Sequence, residues 1–134
     1  MTTAVDESFP IGRDVDVVAC RQAVRARAVA LGFTLVDQTK IVTAASELAR
    51  NTLQHGGGGR MRLEIVEGGG RKGLKLTFED DGPGIPDIQQ AMQDGFTTGG
   101  GLGKGLGGSK RLVNEFEIAS RPGEGTRITI IRWK

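Results

Sequence analysis

Glu47 and Asn51 stand four residues apart in the segment "SELARN", a spacing that puts both on one face of a helix. An asparagine amide oxygen in such a place is a ligand for a hard cation such as Mg²⁺. A glutamate one turn away can orient or deprotonate a hydroxyl. A second group is Asp80, Gly82 and Gly84 in "DDGPGIP". Its glycines let the backbone approach a flat ligand closely, and its carboxylate can accept a hydrogen bond from an exocyclic amine such as that of adenine. In "GEGTRITI", Gly125 and Thr126 open a final strand and bring a hydroxyl where it could support Asp80 from a neighbouring strand. The fourth group is "GFTTGGGLGKGLGGSKRL", with seven glycines between Gly99 and Gly108. Taken singly, each also fits a plainer description: a solvated helix face, a tight turn, a hairpin turn, a linker.

The glycine run is not one of the common phosphate cradles. Gly103, Gly105 and Gly108 fit G-x-G-x-x-G, but "QDGFTTGG" before them is not the strand that a dinucleotide fold requires. Lys104 is followed by Gly105 rather than Ser or Thr, so the P-loop pattern fails too. The HRD and DFG segments of eukaryotic-type protein kinases are missing.

Read together and in this order, the groups resemble the GHKL ATPase superfamily of gyrase, Hsp90, histidine kinase and MutL type. "ExxxN" is similar to its N box, "DxGxG" to its first glycine box and "GGLGKGL" to its second, the ATP lid. Three segments, "SELARN", "EDDGPGIPDIQQAMQDGFTTGGGLGKGLGG" and "KRLVNEFEI", narrow the likeness. They resemble the stressosome switch kinases, the RsbT-like branch of the anti-sigma-factor serine kinases. The resemblance implies Glu47 as catalytic base and Asn51 as Mg²⁺ ligand. It implies Asp80 as the reader of adenine beside Gly82 and Gly84, with Thr126 assisting. Gly101, Gly103 and Gly105 would form the lid over the phosphates of ATP. It further implies a serine protein kinase acting on a STAS-domain partner, then switching to a PP2C-type phosphatase and activating it in a stress-response pathway. The alternative is a non-catalytic, nucleotide-gated anti-sigma-factor-like module. The resemblance gives His55, Arg50 and Lys104 no role. His55 is expected as a polar residue at a helix end and Arg50 as a surface or partner-contact residue. Lys104 stays open between a phosphate contact and a solvated side chain.

The elements that must position these residues are legible from periodicity. "SFPIG" is a short apolar segment, expected as an edge strand because of Pro10. A first helix capped by Asp14 carries Val17, Cys20, Val24, Ala28 and Leu31 at spacings of three and four and stops at Gly32. A second begins with a Thr34–Asp37 capping box. It bears Ile41, Val42, Ala45, Leu48, Ala49 and Leu53 on one face and ends at His55. "RMRLEIVE" and "KGLKLTFEDD" alternate and read as a hairpin. "DIQQAMQDG" reads as a short helix. "GSKRLVNEF" reads as another, with Ser109 near its start and its N-terminus offered to the phosphates. "FEIASR" and "TRITIIRW" read as two closing strands. The expected fold is α+β, a Bergerat-type two-layer sandwich. A mixed, mostly antiparallel sheet would carry the helices on one face, in a single domain over residues 1–134.

Composition sets the outer bounds. A net charge of +2 from 18 basic and 16 acidic residues, interspersed, argues against nucleic acid as the partner. The single cysteine, Cys20, excludes an internal disulfide and sits on the apolar side of its helix, as a core residue does. No apolar run approaches a membrane span. "MTTAVDESFP" lacks the basic and apolar regions of a signal peptide. A cytoplasmic protein without a membrane partner is therefore expected.

Overall fold

The computed structural model describes residues 2–92 and 104–134. Of the expected lid residues, Gly101 and Gly103 lie outside the described residues. Element order is β1 (Thr2–Ile11), α1 (Asp14–Ala30), α2 (Leu35–Gln54), β2 (Gly59–Gly68), β3 (Arg71–Asp80), α3 (Ile88–Ala91), α4 (Lys104–Arg111), β4 (Glu115–Ser120) and β5 (Thr126–Trp133). The strands form one sheet in the order β1-β2-β3-β5-β4. Every described pairing is antiparallel, so the sheet contains no parallel pair among the described residues. β1 is an edge strand, as Pro10 requires, but it runs the full length of β2 rather than over "SFPIG" alone.

One face of the sheet buries Met61, Leu63 and Ile65 of β2, Leu74, Leu76 and Phe78 of β3, and Ile128 and Ile130 of β5. Against it lie Val17, Cys20, Val24 and Ala28 of α1 and Ile41, Ala45, Leu48 and Ala49 of α2. The residues that alternate with the apolar row face the other way, where Arg62 pairs with Asp6 and Arg60 with Glu79. Cys20 is fully buried and burial pushes its thiol up to about 11, so it is a small core residue and not a thiolate nucleophile.

The helix ends follow local chemistry, with three departures from expectation. Asp14 is the first residue of α1 rather than its cap. Instead the Asp16 carboxylate accepts from the Gly12 and Arg13 amides at 2.8 and 3.0 Å, because a carboxylate two residues further on reaches back over the open turn. Thr34 does cap α2, accepting from the Asp37 amide at 3.1 Å. The Asp37 carboxylate is held by Arg132 of β5 rather than by the Thr34 amide. Ser109 lies near the end of α4, not its start, because the helix begins five residues earlier, at Lys104. Gly105 falls in its first turn, and the buried Leu106 anchors it.

Candidate functional site

A cavity of about 300 Å³ opens between α2, the end of β3, the turn after it, α4 and the start of β5. Leu48, Phe78, Ile85, Leu106 and Ile128 line it as apolar walls. Its polar points are Asn51, Thr52 and His55 on α2, Asp80 at the end of β3, and Thr126 at the start of β5. Apolar walls with a few convergent polar groups are the mark of a small-molecule site. The volume suits a nucleoside better than a whole triphosphate, whose charged part would extend outside it.

Asp80 is fixed by its backbone surroundings. Register places it opposite Gly59 on one side and Thr126 on the other. Its Oδ1 accepts from the Gly82 amide at 2.9 Å. Burial raises its pKa, and the amides of Gly82 and Thr126 work in the opposite direction. The neighbouring Asp81 charge raises it further and His55 lowers it. Thr126 thus supports Asp80 through its backbone N–H, not through its hydroxyl as expected. Its Oγ1 instead lies 2.8 Å from Ser120 Oγ, the nearer partner on the adjoining strand. Ser120 Oγ also accepts from the Ile85 amide at 2.8 Å. One hydroxyl on β4 therefore pins the glycine turn to the start of β5.

The turn approaches its neighbours too closely for side chains. A Cβ on Gly82 would stand 2.7 Å from the Cα of Gly56. Gly84 has φ 77° and presses against the Arg121 carbonyl. A Cβ on Gly56 would in turn strike the Asp80 side chain. The end of α2 and the end of β3 meet backbone to backbone, and this brings Asn51, His55 and Asp80 into one cavity.

Asn51 Nδ2 is buried without a hydrogen-bond partner among the described residues. No group of three or more His, Cys, Asp or Glu residues able to hold a metal occurs among them. A cation here would take one amide oxygen from Asn51 and the rest of its ligands from phosphates and water, which is ordinary Mg²⁺ behaviour. The residues present fit that arrangement.

Glu47 stands one helical turn from Asn51 but does not line the cavity. Its Oε1 is 3.1 Å from Arg50 Nη1, and its side chain remains 40% exposed. Arg50 is a partly exposed residue on the helix surface, and its Nη1 donates to the Glu47 carboxylate. Gly56, Ser120, His55 and Leu106 are site residues that the sequence did not disclose. Leu106, one of two leucines within the glycine run, carried the one usable signal.

Comparison with known proteins bears on the family and the fold. The profile of the family described as histidine kinase-, DNA gyrase B-, and HSP90-like ATPase matches residues 36–134. The chain is 55% identical over 118 residues to serine/threonine-protein kinase RsbT of Bacillus subtilis (strain 168), covering 88% of this chain and 89% of that one. It is 33% identical over 118 residues to anti-sigma F factor of Thermoanaerobacter sp. (strain X514), covering 84% and 82% respectively. Among solved structures, the RsbU and RsbW domains of a Mycobacterium tuberculosis protein superpose with a TM-score of 0.66 at 19% identity, over 98% of this chain and 33% of that one. That last likeness bears on the fold alone. The chain belongs to the histidine kinase-, DNA gyrase B- and HSP90-like ATPase family.

Proposed function

We propose that the protein is a serine protein kinase: it transfers the γ-phosphate of ATP to a serine of a STAS-domain partner and then acts as a partner switch, activating a PP2C-type phosphatase in a cytoplasmic stress-response pathway. The observation that carries the nucleotide part is Asp80, a partly buried carboxylate held by two amides at the side of an apolar slot. Such a group accepts the exocyclic amine of adenine, while the slot walls take the faces of the ring. The kinase part rests on the 55% identity to a serine/threonine-protein kinase along 118 residues.

The roles follow from position. The Asn51 amide oxygen would hold Mg²⁺, which supplies charge neutralisation on the phosphates when bound. Glu47, exposed and steadied by Arg50, faces an incoming serine. As the serine Oγ attacks phosphorus, its proton passes to the Glu47 carboxylate. The bond from phosphorus to the ADP oxygen breaks, and ADP leaves with those electrons. Positioning and charge stabilisation account for most of the rate in such reactions. The expected lid segment around Gly101, Gly103 and Gly105 would exclude water, the competing nucleophile.

The test is transfer of labelled γ-phosphate from Mg·ATP to a STAS-domain protein. Label on a serine of that protein, with Glu47→Gln reducing transfer by about 10²-fold or more while ADP binding stays within twofold, is the expected result. The second reading, a non-catalytic nucleotide-gated module, draws on two observations. Glu47 lies outside the cavity lining, and an anti-sigma F factor is among the relatives. ADP binding without any label transfer would establish that reading instead.

A further inference from the structure

Arg50 follows Glu47 by three residues and precedes Asn51 by one. Residues three apart on a helix are neighbours on its surface, and side chains lean back toward the N-terminus. The Arg50 guanidinium therefore reaches back over the turn that carries Glu47, where its Nη1 donates to Glu47 Oε1 at 3.1 Å. Neither side chain lines the cavity. Both remain partly exposed, Arg50 at 43% and Glu47 at 40%. The pair thus lies outside the slot that takes the nucleoside, on a helix surface open to a second protein.

Such a pair contributes little to folding. Water screens exposed charges on neighbouring turns, and the ordering of two long side chains offsets much of their attraction. Its consequence is for the orientation of Glu47. A glutamate on an open helix surface has three rotatable side-chain bonds and little packing to choose among its rotamers. The contact with Arg50 favours one arrangement. It also treats the two carboxylate oxygens differently: Nη1 takes Oε1, and Oε2 is not part of the contact. A general base needs one oxygen within hydrogen-bond reach of the proton that it accepts. Holding that oxygen in place before the substrate arrives removes an ordering cost from the reacting step. Arginine suits this task better than lysine, because its guanidinium is always charged and presents donors in a rigid planar fork.

We propose that Arg50 is a positioning residue for phosphoryl transfer: its hold on Glu47 Oε1 directs Oε2 to the hydroxyl of the incoming serine. This rests on the reading of the protein as a serine kinase with Glu47 as its base. In the step concerned, the serine Oγ–H bond breaks and its proton passes to Oε2. The bond from Oγ to the γ-phosphorus forms. The bond from that phosphorus to the ADP oxygen breaks, and its electrons leave on ADP. Arg50 touches none of the reacting atoms and acts through Glu47.

The test is single-turnover transfer of labelled γ-phosphate from Mg·ATP to a saturating STAS-domain protein. It compares the wild type, Arg50→Ala, Glu47→Gln and the double variant. Arg50→Ala is expected to lower the transfer rate about tenfold, with ADP affinity within twofold and the denaturant midpoint unchanged. Arg50→Lys is expected to recover part of the rate. In the Glu47→Gln background, Arg50→Ala is expected to bring no further loss, because no base is left to orient. An unchanged rate in Arg50→Ala overturns the proposal. An equal loss in both backgrounds overturns it too, and makes Arg50 a direct contact of phosphate or substrate. A loss seen only below saturation with the STAS-domain protein overturns it in favour of a docking contact. If the wild type transfers no label, the kinase reading falls; if Glu47→Gln transfers as fast as the wild type, the base falls. In either case the assignment of Arg50 falls with it.

Discussion

Burial holds the Asp80 carboxyl above its ordinary pKa of 3.8, even with the amides of Gly82 and Thr126 directed at it. An acid whose folded pKa is raised costs the folded state stability wherever it is ionised. That cost is fully present above the folded pKa and disappears as pH falls to the unfolded value. Asp80→Asn removes the titration. Without nucleotide, this variant is expected to melt above the wild type at pH 7, with the gap closing near pH 3 to 4. With ADP, the order is expected to reverse. Loss of a charge-assisted hydrogen bond weakens binding by about tenfold to a hundredfold. Calorimetric titration and thermal melts with and without ADP check both limbs; a variant that binds ADP as tightly as the wild type refutes the adenine-reader role. Asp80 was legible in the sequence because its glycines stand at fixed offsets in one short segment. Ser120, Gly56 and His55 were not. Each enters the site by touching a segment far away in the chain, and nothing in its own neighbourhood records that contact.

The elements differed in how openly they declared themselves. α1 and α2 have apolar residues at three- and four-residue spacing, and β2 and β3 alternate, so tertiary burial and local periodicity coincide. α4 did not, because Gly105, Gly107 and Gly108 occupy a helix of eight residues. Each glycine costs such a helix about 1 kcal/mol relative to alanine. Its stability must come from docking. Leu106 is fully buried and Ser109, three residues on, is 1% exposed on the same side. Lys110 and Arg111 in the last turn suit the negative end of the helix. Gly108→Ala is therefore expected to stabilise the protein by about 0.5–1 kcal/mol, since nothing lies within 4 Å of the added Cβ. If the helix began at Ser109, the same change would bring no such gain. Leu106→Ala is expected to cost about 2–5 kcal/mol and to weaken ADP binding as well, because this side chain is both core and cavity wall. Denaturant midpoints of the two variants separate docking from propensity.

Across the whole molecule, β5 serves the fold at one end and the site at the other. At its start Thr126 faces Asp80; near its finish Arg132 reaches Asp37 in the first turn of α2 and also donates to the Leu112 carbonyl at 2.9 Å. Six residues of strand, about 20 Å, separate the two acids' partners. The Arg132 guanidinium, hydrogen-bonded to the Asp37 carboxylate, holds that acid below its ordinary 3.8, with help from Thr34 and Lys40. The sign is opposite to that of Asp80. A depressed folded pKa contributes stability that is complete above the unfolded value and is lost as pH falls through the folded one. Asp37→Asn is accordingly expected to lower the denaturant midpoint at pH 7, the difference shrinking as pH drops below about 3.8. Asp80→Asn raises the midpoint over the same neutral range and also converges with the wild type in acid. Groups this far apart without shared partners act additively, so the double variant should lie at the sum of the two single shifts at pH 7. An Asp37→Asn midpoint equal to the wild type at pH 7 would mean that the clasp between sheet and helix contributes nothing. A double variant far from the sum would mean instead that strain at the Asp80 site is transmitted along β5 to the Arg132 clasp.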